Sequence, residues 1–275
     1  MRGMFVANPA RAQNPIRAFL FDLDGVITPT AEVHRQAWAE LFREEFEARG
    51  ATPPYSEDDY FTYLDGKPRL DGVRDLLASR GITLPEGDID DGPTEETVAG
   101  LGNRKNENFL TILDRDGVAA YPGSLRILDE CAEREIESAI VTSSRNGMRV
   151  LAAAGLGDRF EVVIDGIHAS ELGLPGKPEP DTYLQAAREL GIPSTVCVVV
   201  EDAASGVAAG AAGDFGLVIG VDRGVGQDAL VNAGADIVVA DLAELIGLLP
   251  ERDAPRAVSG DMNGKGAPKD DEYGE

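Results

Sequence analysis

Short, unbroken apolar runs recur along the chain at residues 16–21, 138–142, 160–164, 196–200, 216–221 and 236–240, as in SAIVT, VCVVV and DIVVA. Runs of this length without polar alternation predict strands covered on both faces. Between most of them lie segments whose apolar residues follow a helical period: SLRILDECAERE, GMRVLAAAG, DTYLQAARELG, AASGVAAGAAG and QDALVNAGA. Strand and helix alternating through short connections predict an α/β fold, a parallel sheet with helices on both faces. Residues 32–117 break the rhythm. EVHRQAWAELFREEF places Val33, Ala37, Trp38, Leu41 and Phe42 on one helical stripe. TVAGLGNRKNENFLTIL does the same with Val98, Leu101, Phe109, Leu110 and Leu113, and LDGVRDLLASRG predicts a third helix closed by Gly81. This span predicts an all-helical cap inserted after the first strand, with residues 15–31 and 118–249 forming the core.

The ends read differently. Residues 1–14 show no period and predict a flexible arm. Residues 250–275 are polar, rich in Gly and Pro and nearly free of large apolar side chains, so they predict a disordered tail that cannot offset its ordering entropy by burial. There is no internal repeat.

Charge narrows the function. The chain has 275 residues with 49 acidic and 25 basic side chains, a formal net charge of −24. That balance speaks against a nucleic-acid partner, and any phosphate site must be built locally from cations. Only 5 of the basic residues are lysines, and the three before the tail are Lys67, Lys105 and Lys177. Cys131 and Cys197 lie far apart in apolar surroundings and read as buried, reduced thiols. No apolar run reaches the ~18 residues of a membrane span, and the first 15 residues lack a signal peptide's apolar core. The expectation is a cytoplasmic protein without a membrane partner, and a monomer.

The chemistry gathers after the strands, where open parallel sheets bind their ligands. FLF is followed by DLDG, SAIV by TSSRN, and VCVVV by ED and then AASG; LPGKPEP lies in the loop after VVIDG. In an extended chain Asp22 and Asp24 point to the same side and repel each other, which a strand alone does not reward. Together with Glu201 and Asp202 they make a set of hard oxygens suited to Mg²⁺. Thr142, Ser143 and Ser144 offer hydroxyls and backbone N–H groups at a helix start for a phosphate, and Lys177 offers a point charge. One aspartate can then accept a phosphoryl group as a nucleophile and the other can serve as acid and base. Asp22, nearer the strand, is the candidate nucleophile and Asp24 the candidate acid/base. Each piece alone has an ordinary explanation: a solvated acidic loop, a helix cap, a turn. The ordered set of four does not.

That set resembles the haloacid dehalogenase superfamily of phosphotransferases over roughly residues 16–249. DGVITPTAEVHRQAW, RKNENF, YPG, TSSRNG, GKPEPD and VVVEDAASGVAAG resemble its β-phosphoglucomutase branch, and DGKPRLDGVRDLLASRGI resembles that branch's actinobacterial members. The resemblance implies a Rossmann-like core, a helical cap, Mg²⁺, and a small sugar-phosphate substrate: β-glucose 1-phosphate converted to glucose 6-phosphate through glucose 1,6-bisphosphate. It implies Asp22 as nucleophile and Asp24 as acid/base. The implied metal ligands are Asp22, the Asp24 backbone carbonyl and Asp202, with Glu201 beside them. By the same resemblance Ser144 and Arg145 hold the non-transferring phosphate, Lys177 pairs with the transferring one, Gly66 and Arg69 form the cap's specificity loop, and His34 and Lys105 serve closure. Pro29 stands where the branch usually has aspartate; proline removes a donor and stiffens the entry to the cap.

A mutase must exclude water and grip a second phosphate. The chain offers Lys177 and Arg145 from the core and Lys67, Arg69, Arg104 and Lys105 from the cap, more cations than one phosphate requires. Three readings stand at this point: a β-phosphoglucomutase, a sugar-phosphate phosphatase on the same scaffold, and an inactive binding or regulatory domain. The intact Asp22, Asp24, Lys177 and Asp202 speak against the last. A dehalogenase would not need the Mg²⁺ set.

Overall fold

The computed structural model describes Phe5–Val6 and residues 15–247. Six parallel strands form the sheet: β2 (Ala18–Phe21), β3 (Glu137–Val141), β4 (Val162–Ile164), β5 (Cys197–Glu201), β6 (Leu217–Val221) and β7 (Ile237–Val239). Their order across the sheet is β7-β6-β5-β2-β3-β4. Strand β1 (Phe5–Val6) pairs antiparallel with β7 at the edge. The flexible-arm expectation therefore needs correction at these two residues, whose backbones find unpaired ladder groups on an edge strand. The rest of that arm, and the tail from residue 248, lie outside the described residues.

Every continuous apolar run of the core became a strand. Alternate residues face opposite sides. Phe19, Phe21, Ile140, Val198 and Val200 join one buried cluster with Val150 and Leu151 of α6 (Gly147–Ala153) and Ile127 and Leu128 of α5 (Pro122–Glu133). Leu20, Ala139, Val141, Cys197 and Val199 join the other, with Tyr183 of α8 (Asp181–Glu189) and Ala209 of α9 (Ala204–Ala212). A further helix, α10 (Gln227–Ala233), packs Leu230 against Val218 and Val238.

Between β2 and β3 the chain is helical: α1 (Thr30–Arg49), α2 (Glu57–Asp59) running into a π-helical turn (Tyr60–Leu64), α3 (Arg69–Ala78) and α4 (Val98–Asp116). This insertion has its own apolar cluster, with Trp38, Leu41, Phe42, Phe46, Leu76 and Leu101 at its centre. Pro29 sits at the N-cap of α1, where a missing N–H costs nothing.

The helix after TSSRN begins at Gly147, where the period of GMRVLAAAG places it, and Thr142–Ser144 form the loop ahead of it. Residues 166–171 form a short helix, α7 (Gly166–Glu171), whose first N–H groups are capped by Asp165; a six-residue helix carries too little periodicity to read from sequence.

Candidate active site

The strand order decides what meets. Strand β2 lies between β5 and β3, with Phe21 opposite both Val200 and Ile140. Asp22 and Glu201 therefore emerge side by side, with Thr142 one residue beyond the position of β3 that faces Asp22, and the Asp22 N–H donates to Val200 O at 2.9 Å.

Lys177, from the loop before α8, reaches this point from a third direction. Its Nζ donates to Asp22 Oδ1 and to Glu201 Oε1, both at 2.6 Å, and to Val141 O at 3.1 Å. The Tyr183 hydroxyl donates to Glu201 Oε1 at 3.2 Å, and the Ala203 N–H to Glu201 Oε2 at 2.9 Å. Burial works against the Lys177 charge, but Asp22 and Glu201 outweigh it and hold the ammonium's pKa well above its ordinary value.

Asp22, Glu201 and Asp202 each place one carboxylate oxygen within 4.8 Å of the others. Burial, then Asp65, Glu201 and Asp22, push the Asp202 carboxyl well above its ordinary range. Three buried carboxylates against one lysine is a charge balance that a hard divalent cation fits, and the all-oxygen donor set fits Mg²⁺. Glu201 spends both oxygens on protein donors, so Asp22 and Asp202 are the side chains with capacity for the ion. Gly25 makes the approach possible: at φ 89° its Cα faces Asp202, and a Cβ there would fall 1.8 Å from Asp202 Oδ2.

Asp24 is tied back towards the insertion. It accepts hydrogen bonds from the Thr30 hydroxyl and, at 3.2 Å, from Thr142 Oγ1. His34 Nε2 lies 3.5 Å from it. Burial raises the Asp24 carboxyl, but His34, Thr30 and Lys105 together overcome that and hold it at about 2. Lys105 contacts His34 Nδ1, so the proton of the neutral ring belongs on Nε2, facing Asp24. The His34 ring stacks on Phe109, and Lys105 Nζ lies 4.9 Å over the Trp38 ring. Burial, with Arg69 nearby, lowers the Lys105 ammonium to about 7.

The cleft around these groups is also lined by Gly66, Lys67, Arg69, Ser143, Ser144, Arg145, Asn106 and Asn146. Burial, then Arg145, lower the Arg69 guanidinium to about 10. The sequence-selected residues Asp22, Asp24, His34, Gly66, Arg69, Lys105, Thr142, Ser143, Ser144, Arg145, Lys177, Glu201 and Asp202 thus meet at one place. Ser143 has a second engagement, since its hydroxyl donates to Gly66 O at 2.8 Å. Lys67 lines the cleft but bridges to Asp75 at 2.7 Å. Arg104 is not brought to the site; it turns into the insertion and pairs with buried Glu45. His168 pairs with Glu189, away from the site. Sequence reasoning missed Thr30, Tyr60, Asp65, Asn106, Tyr183 and Ser205. Asp65 and Ser205 stood inside the quoted DGKPR and EDAASG stretches, but nothing local says that they meet.

The family model for haloacid dehalogenase-like hydrolases matches residues 16–214. A β-phosphoglucomutase of Mycobacterium bovis is 46% identical over 242 residues, covering 84% of this chain and 92% of that protein. The β-phosphoglucomutase of Bacillus subtilis is 31% identical over 232 residues, covering 84% and 92%. The crystal structure of a β-phosphoglucomutase from Clostridium difficile superposes with a TM-score of 0.67 at 24% identity, over 84% of this chain and 93% of that one, which establishes the shared fold. On sequence and architecture together, the chain belongs to the haloacid dehalogenase-like hydrolase family, in its β-phosphoglucomutase-like branch.

Proposed function

We propose that this protein is a Mg²⁺-dependent β-phosphoglucomutase, interconverting β-glucose 1-phosphate and glucose 6-phosphate through glucose 1,6-bisphosphate. The observation that carries the mutase reading is Arg69 and Arg145, one from the insertion and one from the core. Both line the same cleft as Asp22. Arg69 Nη2 donates to Asn103 Oδ1 at 3.1 Å, and neither guanidinium pairs with a carboxylate among the described residues. Two such cations beside a third, separate cation at Lys177 suit a substrate with a phosphate at each end.

The chain's own groups supply the steps. Asp22, carrying a phosphoryl group, loses it to the attacking sugar hydroxyl, whose proton passes to Asp24. The P–O bond to Asp22 breaks as the bond to the sugar oxygen forms. After the bisphosphate turns over, Asp22 attacks the other phosphorus, and Asp24 returns its proton to the departing C1 oxygen. An Asp24 held at about 2 begins as the base this order requires. Lys177 and the Thr142–Arg145 loop hold phosphate oxygens, while His34 and Lys105 keep Asp24 in register. Mg²⁺, when bound at Asp22, Asp202 and the Asp24 carbonyl, supplies charge neutralisation for the transferring phosphoryl group. In this reading residues 32–117 act as the cap, and the protein works as a cytoplasmic monomer, a compartment that suits its two buried free thiols.

A phosphatase on the same scaffold is the second reading, favoured by Pro29 at the entry to α1, which offers no side-chain cap to the helix. One assay separates the two. Purified protein with Mg²⁺, β-glucose 1-phosphate and a trace of glucose 1,6-bisphosphate is followed for glucose 6-phosphate and free phosphate together. Glucose 6-phosphate outpacing free phosphate is expected; free phosphate alone would replace the mutase reading with the phosphatase.

A further inference from the structure

Arg223 lies outside every sequence motif of the site, yet it reaches the turn that carries the catalytic aspartates. Strand β2 ends at Phe21, so beyond Asp22 the chain leaves the sheet ladder. It is held there as a turn: the Ile27 and Thr28 N–H groups donate to Leu23 O at 3.0 and 2.9 Å, and the Gly25 N–H to Thr28 O at 2.7 Å. Three successive carbonyls, of Gly25, Val26 and Ile27, are left for outside donors, and each finds one. Ser124 Oγ donates to Val26 O at 2.6 Å, the Tyr121 N–H to Ile27 O at 2.9 Å, and Arg223 Nε to Gly25 O at 2.8 Å. Of the three donors, Arg223 holds the residue next to Asp24.

Arg223 is itself well fixed. Its Nη1 donates to Ala240 O at 3.0 Å, and its Cζ lies 4.0 Å from the centroid of the Tyr121 ring. The loop that bears it is closed by the Gly224 and Gly226 N–H groups, both donating to Asp222 Oδ1 at 3.0 Å, and the Asp222 N–H donates to Val239 O at 2.8 Å. Among the described residues its guanidinium meets two carbonyls and a ring face, and forms no ion pair with a carboxylate. A planar fork serves all three partners at once, which a lysine cannot do. Gly25 is buried with its Cα against Asp202, so a carbonyl that lost this donor would have no water to replace it.

We propose that Arg223 is a positioning residue for Asp24, acting through the Gly25 carbonyl. Thr30 and Thr142 hold the Asp24 carboxylate at its far end; Arg223 holds the main chain at its root. Without that donor the Gly25 carbonyl turns to seek another, and Asp24 moves with the peptide it shares with Gly25. The step affected is proton transfer through Asp24. The attack by Asp22 is spared, because the sheet, through Val200 O, and Lys177 hold that residue in place.

The inference rests on the role given to Asp24 above, and its test separates the two. Two rates are compared at saturating Mg²⁺ for wild type, Arg223→Met and Arg223→Lys. The first is kcat for glucose 6-phosphate formation, in which Asp24 takes and returns a proton. The second is release of 4-nitrophenolate with enzyme in excess over 4-nitrophenyl phosphate. There Asp22 attacks phosphorus, the P–O bond breaks, and the electron pair leaves on a phenolate that needs no proton. Arg223→Met is expected to lower the first rate about 10²-fold, the cost of misplacing a catalytic group by about 1 Å, and to leave the second within about threefold. The KM for β-glucose 1-phosphate is expected to hold, and Arg223→Lys, with one donor left, to fall between. Equal losses in both rates, or no loss in either, overturn the inference and leave the role of Asp24 intact. If Arg223→Met does not fold, Arg223→Lys decides by the same ratio. If the wild type makes no glucose 6-phosphate, the mutase reading falls, and steady-state phosphate release, in which the attacking water gives its proton to Asp24, serves as the first rate. A wild type that turns over neither substrate overturns both.

Discussion

Lys177 Nζ lies 2.6 Å from Asp22 Oδ1, although 155 residues separate the two in the chain. The lysine is almost wholly inaccessible, and its other carboxylate partner, Glu201, is equally buried. Removing one member of such a pair leaves uncompensated charge in the interior. Lys177→Ala should lower kcat by about 10²–10³-fold, as expected for loss of one preorganised charge on a transferring group. A steady-state assay beside a thermal melt checks this, and a melting temperature that falls in the metal-free protein but recovers with Mg²⁺ would identify the released carboxylates as the cause.

Gly25→Ala should fail for two reasons at one position. Its φ of 89° is strained for any L side chain, and the new methyl would overlap the Asp202 carboxylate. Stability should fall by about 1–3 kcal/mol, and Asp202 must move. Denaturant unfolding measures the first effect. A weaker apparent Mg²⁺ affinity in the folded fraction measures the second.

Arg69→Ala should hurt use of glucose 1,6-bisphosphate by roughly 10–100-fold, the range for a charge-assisted hydrogen bond. Hydrolysis of a small aryl phosphate, which has no second phosphate, should change little. Equal losses on both substrates would remove the argument for a second phosphate clamp.

Lys105 gives a pH signature. Its ammonium titrates at about 7 in the folded protein, lowered by burial and Arg69, against an ordinary 10.5. Between those values the unfolded chain binds a proton that the folded chain does not, so folded stability gains as pH rises from about 7 towards 10.5. Below pH 7 the side chain is charged in both states and this contribution is flat. Lys105→Met, set among Trp38 and Phe109, should lose that gain. Urea unfolding of both proteins at a series of pH values would show the difference curve rising on the alkaline side alone.

Cys131 and Cys197 should resist alkylation. Burial pushes their thiols up to about 12 and about 11, so little thiolate exists at pH 8. Mass spectrometry after iodoacetamide should find both unmodified in the native protein and both modified in denaturant.

Sequence by itself determined the elements and the chemistry attached to their ends. VCVVV and SAIV had to be buried strands because no polar alternation offers water a face. Their last residues had to emerge at one edge because parallel strands share a direction. That much placed Asp22, Thr142 and Glu201 on a common rim and made the ordered motifs legible. Tertiary structure alone decided who touches whom on it. Local hydrophobic period says which side chains are buried, not which strand lies beside which. That β2 lies between β5 and β3 comes from packing across the whole chain, and it brings Lys177 onto Asp22. The same limit explains Arg104 and Asp65. Both stand in polar stretches of the insertion, yet one turns inward to Glu45 and the other lines the cleft beside Tyr60. A side chain's direction on a helix or turn is set by the surface packed against it, and that surface is supplied by residues far away in sequence.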